Sequence, residues 1–340
     1  MLERLCDPVR TERSLTGSIR ILFRKLVGGV LGLPPKYPLL RLATVGQDGA
    51  LSYEDDAGRV ADAVRRADAV LLYVHGILGD TGDMARSSRV SGAAPPVGPG
   101  YGVVLAFDYE NINTSIEENA ALLKARLAEV GLAGEHGKRL DIVAHSMGGL
   151  VARQLIEAER GVHVDSLVTL GTPHAGSPWP SVQRWATVAL GVAANGMLPV
   201  AWPVAALAAV MGTIEKVDTA LDQMQKGSPF LTALAKAPDP GVPYHLLVGD
   251  RSLLPRELAD GRLPRLLERL SPGGIVDRVV DAVFFRAPND LAVSVESAQA
   301  VPAGRTPSPA VQVLATDHMS FFATDASLVA VADALNPANP

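Results

Sequence analysis

Residues Leu140–Leu150 read L-D-I-V-A-H-S-M-G-G-L, and this stretch decides the fold. An apolar run of β type (Leu140, Ile142, Val143) stops at a tight turn carrying Ser146. A helical run follows at once through Met147, Leu150, Val151, Leu155 and Ile156, with Gly148 and Gly149 in its first turn. A strand, a sharp turn around one serine and a helix are the elements of a nucleophile elbow. That turn strains the serine backbone and brings the helix close to the strand, so its neighbours must be small. Ala144 and Gly148 stand at the two positions where minimal side chains are required; the first of these is more often glycine.

The elements around the elbow alternate. Val70–Val74 is a near-continuous apolar run, as expected of a strand buried on both faces. Val103–Phe107 follows, then a helix over Ile116–Val130 with Asn113 or Thr114 as N-cap. Further strands are expected at Ser166–Leu170, Tyr244–Val248 and Val311–Leu314, and a helix at Arg59–Arg66. This is the pattern of a mostly parallel, doubly wound α/β sheet. Two insertions interrupt it, at about 177–240 and 251–288. Residues 1–65 read as an N-terminal extension of unknown role and 66–337 as the domain proper. Within the extension, Ser18–Val30 has the spacing of an amphipathic helix, either docked on the domain or lying on a membrane surface. Ala94–Gly100 reads as a loop.

Bulk properties narrow the function. A chain of 340 residues with 48% hydrophobic content can bury a large core. A net charge of −5 argues against nucleic acid as a partner, because phosphate binding needs a basic face. The single cysteine, Cys6, excludes an internal disulfide and fits a reducing, cytoplasmic compartment. No cleavable signal peptide is expected from the charged first residues. Trp185–Ile214 carries no charge and has the length of a membrane span, but Asn195-Gly196, Pro199 and Pro203 divide it into shorter apolar helices.

A serine hydroxyl is a poor nucleophile until a base accepts its proton, and that base needs an orienting acid. On sheets of this kind the three follow in the order serine, acid, histidine. His318, in T-D-H-M-S just after the last expected strand, is the candidate base at a strand's carboxyl end. Two acids compete: Asp250 directly follows the strand Tyr244–Val248, and Asp290 stands in N-D-L-A-V-S-V-E-S-A. Asp290 is favoured, since Asp250 equally suits a helix cap; Asp317 is expected to cap a helix beginning beside His318. The amides of Met147 and of Ile77, in H-G-I-L-G, are the candidate oxyanion donors. His75 is expected to be structural. The histidines His136, His163, His174 and His245 lack metal-ligand spacing, and no metal or organic cofactor is needed.

On these residues the chain resembles the α/β-hydrolase lipases and esterases, in particular proteins similar to GPI inositol-deacylase and the bacterial triacylglycerol lipases. The matching pieces are V-H-G-I at Val74–Ile77, A-H-S-M-G-G at Ala144–Gly149, L-G-T-P-H-A-G-S-P at Leu170–Pro178, N-D-L-A-V-S-V-E-S-A at Asn289–Ala298 and D-H at Asp317–His318. The resemblance implies an α/β-hydrolase fold, Asp290 as the acid, and a cap or lid after G-T-P-H-A-G-S. It also implies an ester or lipid substrate, with peripheral membrane contact through the apolar stretch. Three functional readings stay open: a serine hydrolase of carboxylic esters, an acyltransferase on the same triad, and a non-catalytic interaction protein on a hydrolase scaffold.

Overall fold

The computed structural model describes residues 37–77, 81–88, 97–98, 100–110, 114–177, 219–250, 290, 292–318 and 320–336. The strands are β1 (Leu39–Val45), β2 (Leu51–Glu54), β3 (Ala69–Val74), β4 (Val103–Asp108), β5 (Arg139–His145), β6 (Ser166–Leu170), β7 (Tyr244–Gly249) and β8 (Ala310–Leu314). The helices are α1 (Ala57–Arg66), α2 (Gly82–Ser87), α3 (Ile116–Glu129), α4 (Met147–Arg153), α5 (Thr219–Gln223), α6 (Pro229–Leu234), α7 (Val295–Gln299) and α8 (Asp325–Leu335). A wider π-helical segment, Gln154–Glu159, continues α4.

All eight strands form one sheet in the order β2-β1-β4-β3-β5-β6-β7-β8. β1 runs antiparallel to both its neighbours, and β3 to β8 pair in parallel. This is the α/β-hydrolase fold, as the elbow and the alternation predict. Period-two alternation sends each central strand's side chains to two separate cores. Val70, Leu72 and Val74 of β3, with Ile142 and Ala144 of β5, pack beneath α3 and α4. Leu71, Tyr73, Val143 and Val168 face α2 and α8 on the other side. Each fully buried large aliphatic side chain contributes about 1.5–3 kcal/mol of burial. The double coverage explains why β3 and β5 read as unbroken apolar runs.

Three expectations are corrected. The boundary at residue 65 falls inside the fold, because β1, β2 and α1 belong to the main sheet and its packing. The turn joining β1 to β2 is a short hairpin connection: Gly49 adopts φ 77°, Gly46 N–H donates to Ala50 O (2.8 Å) and Asp48 accepts from the Ala50 amide (3.0 Å). The N-cap of α3 is Ser115, whose hydroxyl accepts from the Glu118 amide at 3.0 Å, rather than Asn113 or Thr114. The described end of the first insertion, residues 219–240, is no cap: Leu221, Met224, Phe230 and Leu234 join the core beneath α3 and α4. It is tied there by the Ile116 amide donating to Gln223 Oε1 (2.7 Å) and by Ser177 N–H donating to Met224 O (2.9 Å). Cys6, the Ser18–Val30 helix, the Trp185–Ile214 stretch and the 251–288 insertion lie outside the described residues.

Candidate active site

The site stands at the carboxyl ends of β3, β5, β6 and β7. β5 ends at His145, and Ser146 takes φ 55° and ψ −127° before α4 begins at Met147. A non-glycine residue in this region is strained by about 1–3 kcal/mol, and the surroundings must hold it there. Its amide donates to Leu170 O at the end of β6 (2.8 Å), and its carbonyl accepts from Gly149 (3.0 Å). The small neighbours have a steric cause. A Cβ on Gly148 would lie 2.4 Å from His75 O and 2.5 Å from Val74 O, so α4 crosses directly over the end of β3. Ala144 is wholly buried between Val74 and Thr169 on the adjacent strands.

His318, in the loop after β8, and Asp290, just ahead of α7, converge on this serine. His318 Nε2 is 2.9 Å from Ser146 Oγ, and His318 Nδ1 is 2.8 Å from Asp290 Oδ2. All three residues are buried. The second oxygen of Asp290 accepts from the amides of Ala292 (3.1 Å) and Val293 (2.8 Å), which fixes the carboxylate's orientation. The His318 amide donates to Asp290 O (2.9 Å), so the two residues are joined through main chain as well as side chain. Of the two candidate acids, Asp290 is the one on the imidazole; Asp250 is exposed, its amide donating to Leu314 O (3.1 Å). Asp317 begins no helix. It accepts from the Ser320 hydroxyl (2.7 Å) within a turn, and the next helix starts at Asp325.

Met147 occupies the first position of α4, where a backbone N–H has no acceptor within the helix. Ile77 is buried and follows Gly76, which packs directly against Ser146. A Cβ on Gly76 would lie 2.6 Å from Ser146 Cβ and 3.3 Å from its Oγ. His75 is structural. Its Nδ1–H donates to Gly76 O (2.7 Å), Nε2 accepts from the Tyr109 amide (3.3 Å), and the Tyr109 hydroxyl donates to His75 O (2.6 Å). One neutral tautomer satisfies both ring contacts, and burial lowers its pKa against the opposing pull of Asp108.

Two features of the site escaped the sequence reading. Gly171, at φ 56°, leaves room for the acid and base: a Cβ there would lie 2.8 Å from Asp290 Oδ2 and 3.0 Å from His318 Nδ1. Its signal was its place directly after a strand, in L-G-T-P. The other is His145, whose Nε2–H donates to His318 O at 2.8 Å. Among the described residues, no group of three or more His, Cys, Asp or Glu side chains could hold a metal ion. No described helix is long and apolar enough to cross a membrane.

A fold with a strained serine hydrogen-bonded to a histidine–aspartate pair defines an α/β-hydrolase-type scaffold with a serine-centred site. Residues 41–336 match a family described as a domain of unknown function (DUF7379), and the chain belongs to that family. No curated protein matches it. Among solved structures it is similar to the Bacillus licheniformis lipase BlEst2. In the mature form it is 21% identical, covering 76% of this chain and 87% of that one with a TM-score of 0.45. In the propeptide form the identity is 20% over 75% of this chain, the TM-score is 0.46, and the chain spans 47% of that protein's length. It is also similar to a hydrolase from Pseudomonas aeruginosa, at 15% identity, covering 88% of this chain and 98% of that one with a TM-score of 0.44.

Proposed function

We propose that this protein is a serine hydrolase that cleaves carboxylic esters through an acyl-enzyme, with lipid-like acyl esters as its substrate class. The observation that carries the reading is the unbroken relay from Ser146 Oγ through both nitrogens of His318 to Asp290. In this reading Ser146 Oγ attacks the ester carbonyl while His318 Nε2 takes its proton. The amides of Ile77 and Met147 donate to the oxyanion of the tetrahedral intermediate, where each donor is worth about 2.7–4 kcal/mol of barrier. His318 then returns the proton to the departing alcohol. Asp290 holds the Nδ1–H tautomer and stabilises the imidazolium that forms in each half-reaction. Water, deprotonated by His318, attacks the acyl-serine and releases the acid. The cycle uses only groups of this chain and water.

The preference for lipid-like esters rests on the apolar Trp185–Ile214 segment and on the resemblance to lipases. Peripheral contact with a membrane is part of the same proposal. The test is turnover of p-nitrophenyl esters from acetate to palmitate, with the released acid quantified in the presence and absence of an acceptor alcohol. The reading expects stoichiometric free acid and a rise in kcat/KM from acetate to octanoate. Acetate strongly preferred over octanoate contradicts the lipid-like substrate. Ester formed on the added alcohol in place of free acid contradicts hydrolysis in favour of acyl transfer.

A further inference from the structure

The loop that carries His318 lies outside the strand ladders, yet the base must hold hydrogen-bonding distance to Ser146. We infer that His145 is a positioning residue for this chemistry: its imidazole anchors the main chain of His318 and thereby sets the distance between base and nucleophile. The inference rests on the serine-hydrolase reading and adds a residue to it.

The geometry closes a ring. His145 Nε2 lies 2.8 Å from His318 O, and a carbonyl only accepts, so this nitrogen carries the proton. His318 Nε2 lies 2.9 Å from Ser146 Oγ, and Ser146 is bonded covalently to His145. The base is therefore attached twice to one dipeptide, by side chain to the serine and by main chain to the histidine. His145 itself sits on the rigid side of this ring, paired with Leu170 in the centre of the sheet. Its ring meets that of His318 at 4.8 Å and those of Phe321 and Phe322 edge-on at 6.0 and 6.2 Å, so its rotamer is fixed by packing. With the His318 amide donating to Asp290 O, both main-chain polar groups of the base are restrained. Burial, then the neighbouring His318, push the His145 pKa down. The ring is therefore neutral while His318 takes up and releases a proton.

The experiment compares the full-length wild type with His145→Phe, His145→Gln and His145→Asn on p-nitrophenyl butyrate, with kcat and KM determined separately and folding checked by calorimetry. Phenylalanine keeps the aromatic packing and removes the donor. Because a displacement of about 1 Å in a reacting group costs up to about 100-fold, H145F is expected to lose about 10- to 100-fold in kcat with KM unchanged. The Gln side chain carries its N–H as far out as the imidazole Nε2 and is expected to restore most of the rate. Asn stops one bond short and should behave like Phe, so the Gln–Asn pair decides the matter if H145F does not fold. Wild-type kcat in H145F or H145N, or equal losses in Gln and Asn, overturns the positioning role while leaving the hydrolase reading intact. A wild type that neither turns over esters nor reacts with a fluorophosphonate overturns both.

Discussion

Replacing Gly76 by alanine adds a single methyl group beside the nucleophile. Gly76 does not have positive φ, so alanine suits its backbone and only the added Cβ acts. That atom would stand 2.6 Å from Ser146 Cβ and 3.1 Å from His145 O. Carbon atoms pack at about 3.5–4.0 Å, so the two backbones must separate by about 1 Å. β5 and α4 are anchored in the centre of the fold, which leaves the strand-end loop of β3 to move. The loop carries the Ile77 amide, and an oxyanion donor works only at about 2.7–3.1 Å from the developing charge. Moving it by about 1 Å removes most of that donor's contribution, so kcat is expected to fall by about 10²–10³. Overpacking should also cost about 1–3 kcal/mol of stability. Steady-state kinetics on a p-nitrophenyl ester, with calorimetry to confirm folding, measures both. A folded G76A with wild-type kcat refutes the placement of the oxyanion site between Gly76 and the elbow.

Other consequences follow from the same geometry. Asp290→Asn should lower kcat by about 10⁴, the loss expected when the orienting acid becomes an amide, whereas Asp250→Asn on the exposed face should leave kcat within about twofold. Equal losses in the two variants contradict the assignment of the acid. Glu157 is fully buried beneath Arg153 (2.7 Å), Arg305 (2.7 Å) and the Tyr244 hydroxyl (2.9 Å). Glu157→Gln leaves buried Arg153 without its counter-charge and Arg305 with only Asp239 at 3.7 Å, and should cost about 3–5 kcal/mol in urea unfolding; a loss below about 1 kcal/mol speaks against a tightly coupled cluster. His75 and His174 are buried with pKa values lowered from 6.5, chiefly by desolvation. Their neutral forms therefore contribute stability that is fully present above about pH 6.5 and is lost as pH falls toward their folded values. Unfolding free energy should drop by about 1.4 kcal/mol per pH unit for each histidine below that point. Denaturation curves that are flat from pH 7 to 5 would contradict their burial as neutral rings.

The parts of the fold that sequence shows best are those whose physics is local. The elbow is legible because strain at Ser146 demands small residues at fixed offsets, and the central strands because burial on two faces leaves long apolar runs. β1 and β2 are less visible. β1 pairs antiparallel with β4, and its run Leu39–Val45 carries Arg41, whose charge is compensated by Asp108 from a distant strand. Only the D-G turn at Asp48-Gly49 marked the hairpin locally. The Ser115 cap is also local, in the spacing S-x-x-E to Glu118, but Thr114 has the same spacing to Glu117. The acid is a different case: Asp250 and Asp290 both follow β7, and only the fold of the chain decides which carboxylate meets His318. His145 and Gly171 act through contacts across 173 residues in one case and a cradle for two distant side chains in the other. Both lie inside the motifs A-H-S-M-G-G and L-G-T-P-H-A-G-S-P, but those motifs do not say which distant side chain each residue meets.

The central claim is that Ser146 is an activated nucleophile, and a fluorophosphonate probe reports on it directly. Intact-mass analysis should find one probe molecule on the wild type, located on the peptide containing Ser146, with none on Ser146→Ala and sharply slowed labelling in His318→Ala. Wild-type protein that stays unlabelled, or S146A that is labelled as fast as the wild type, would contradict the account.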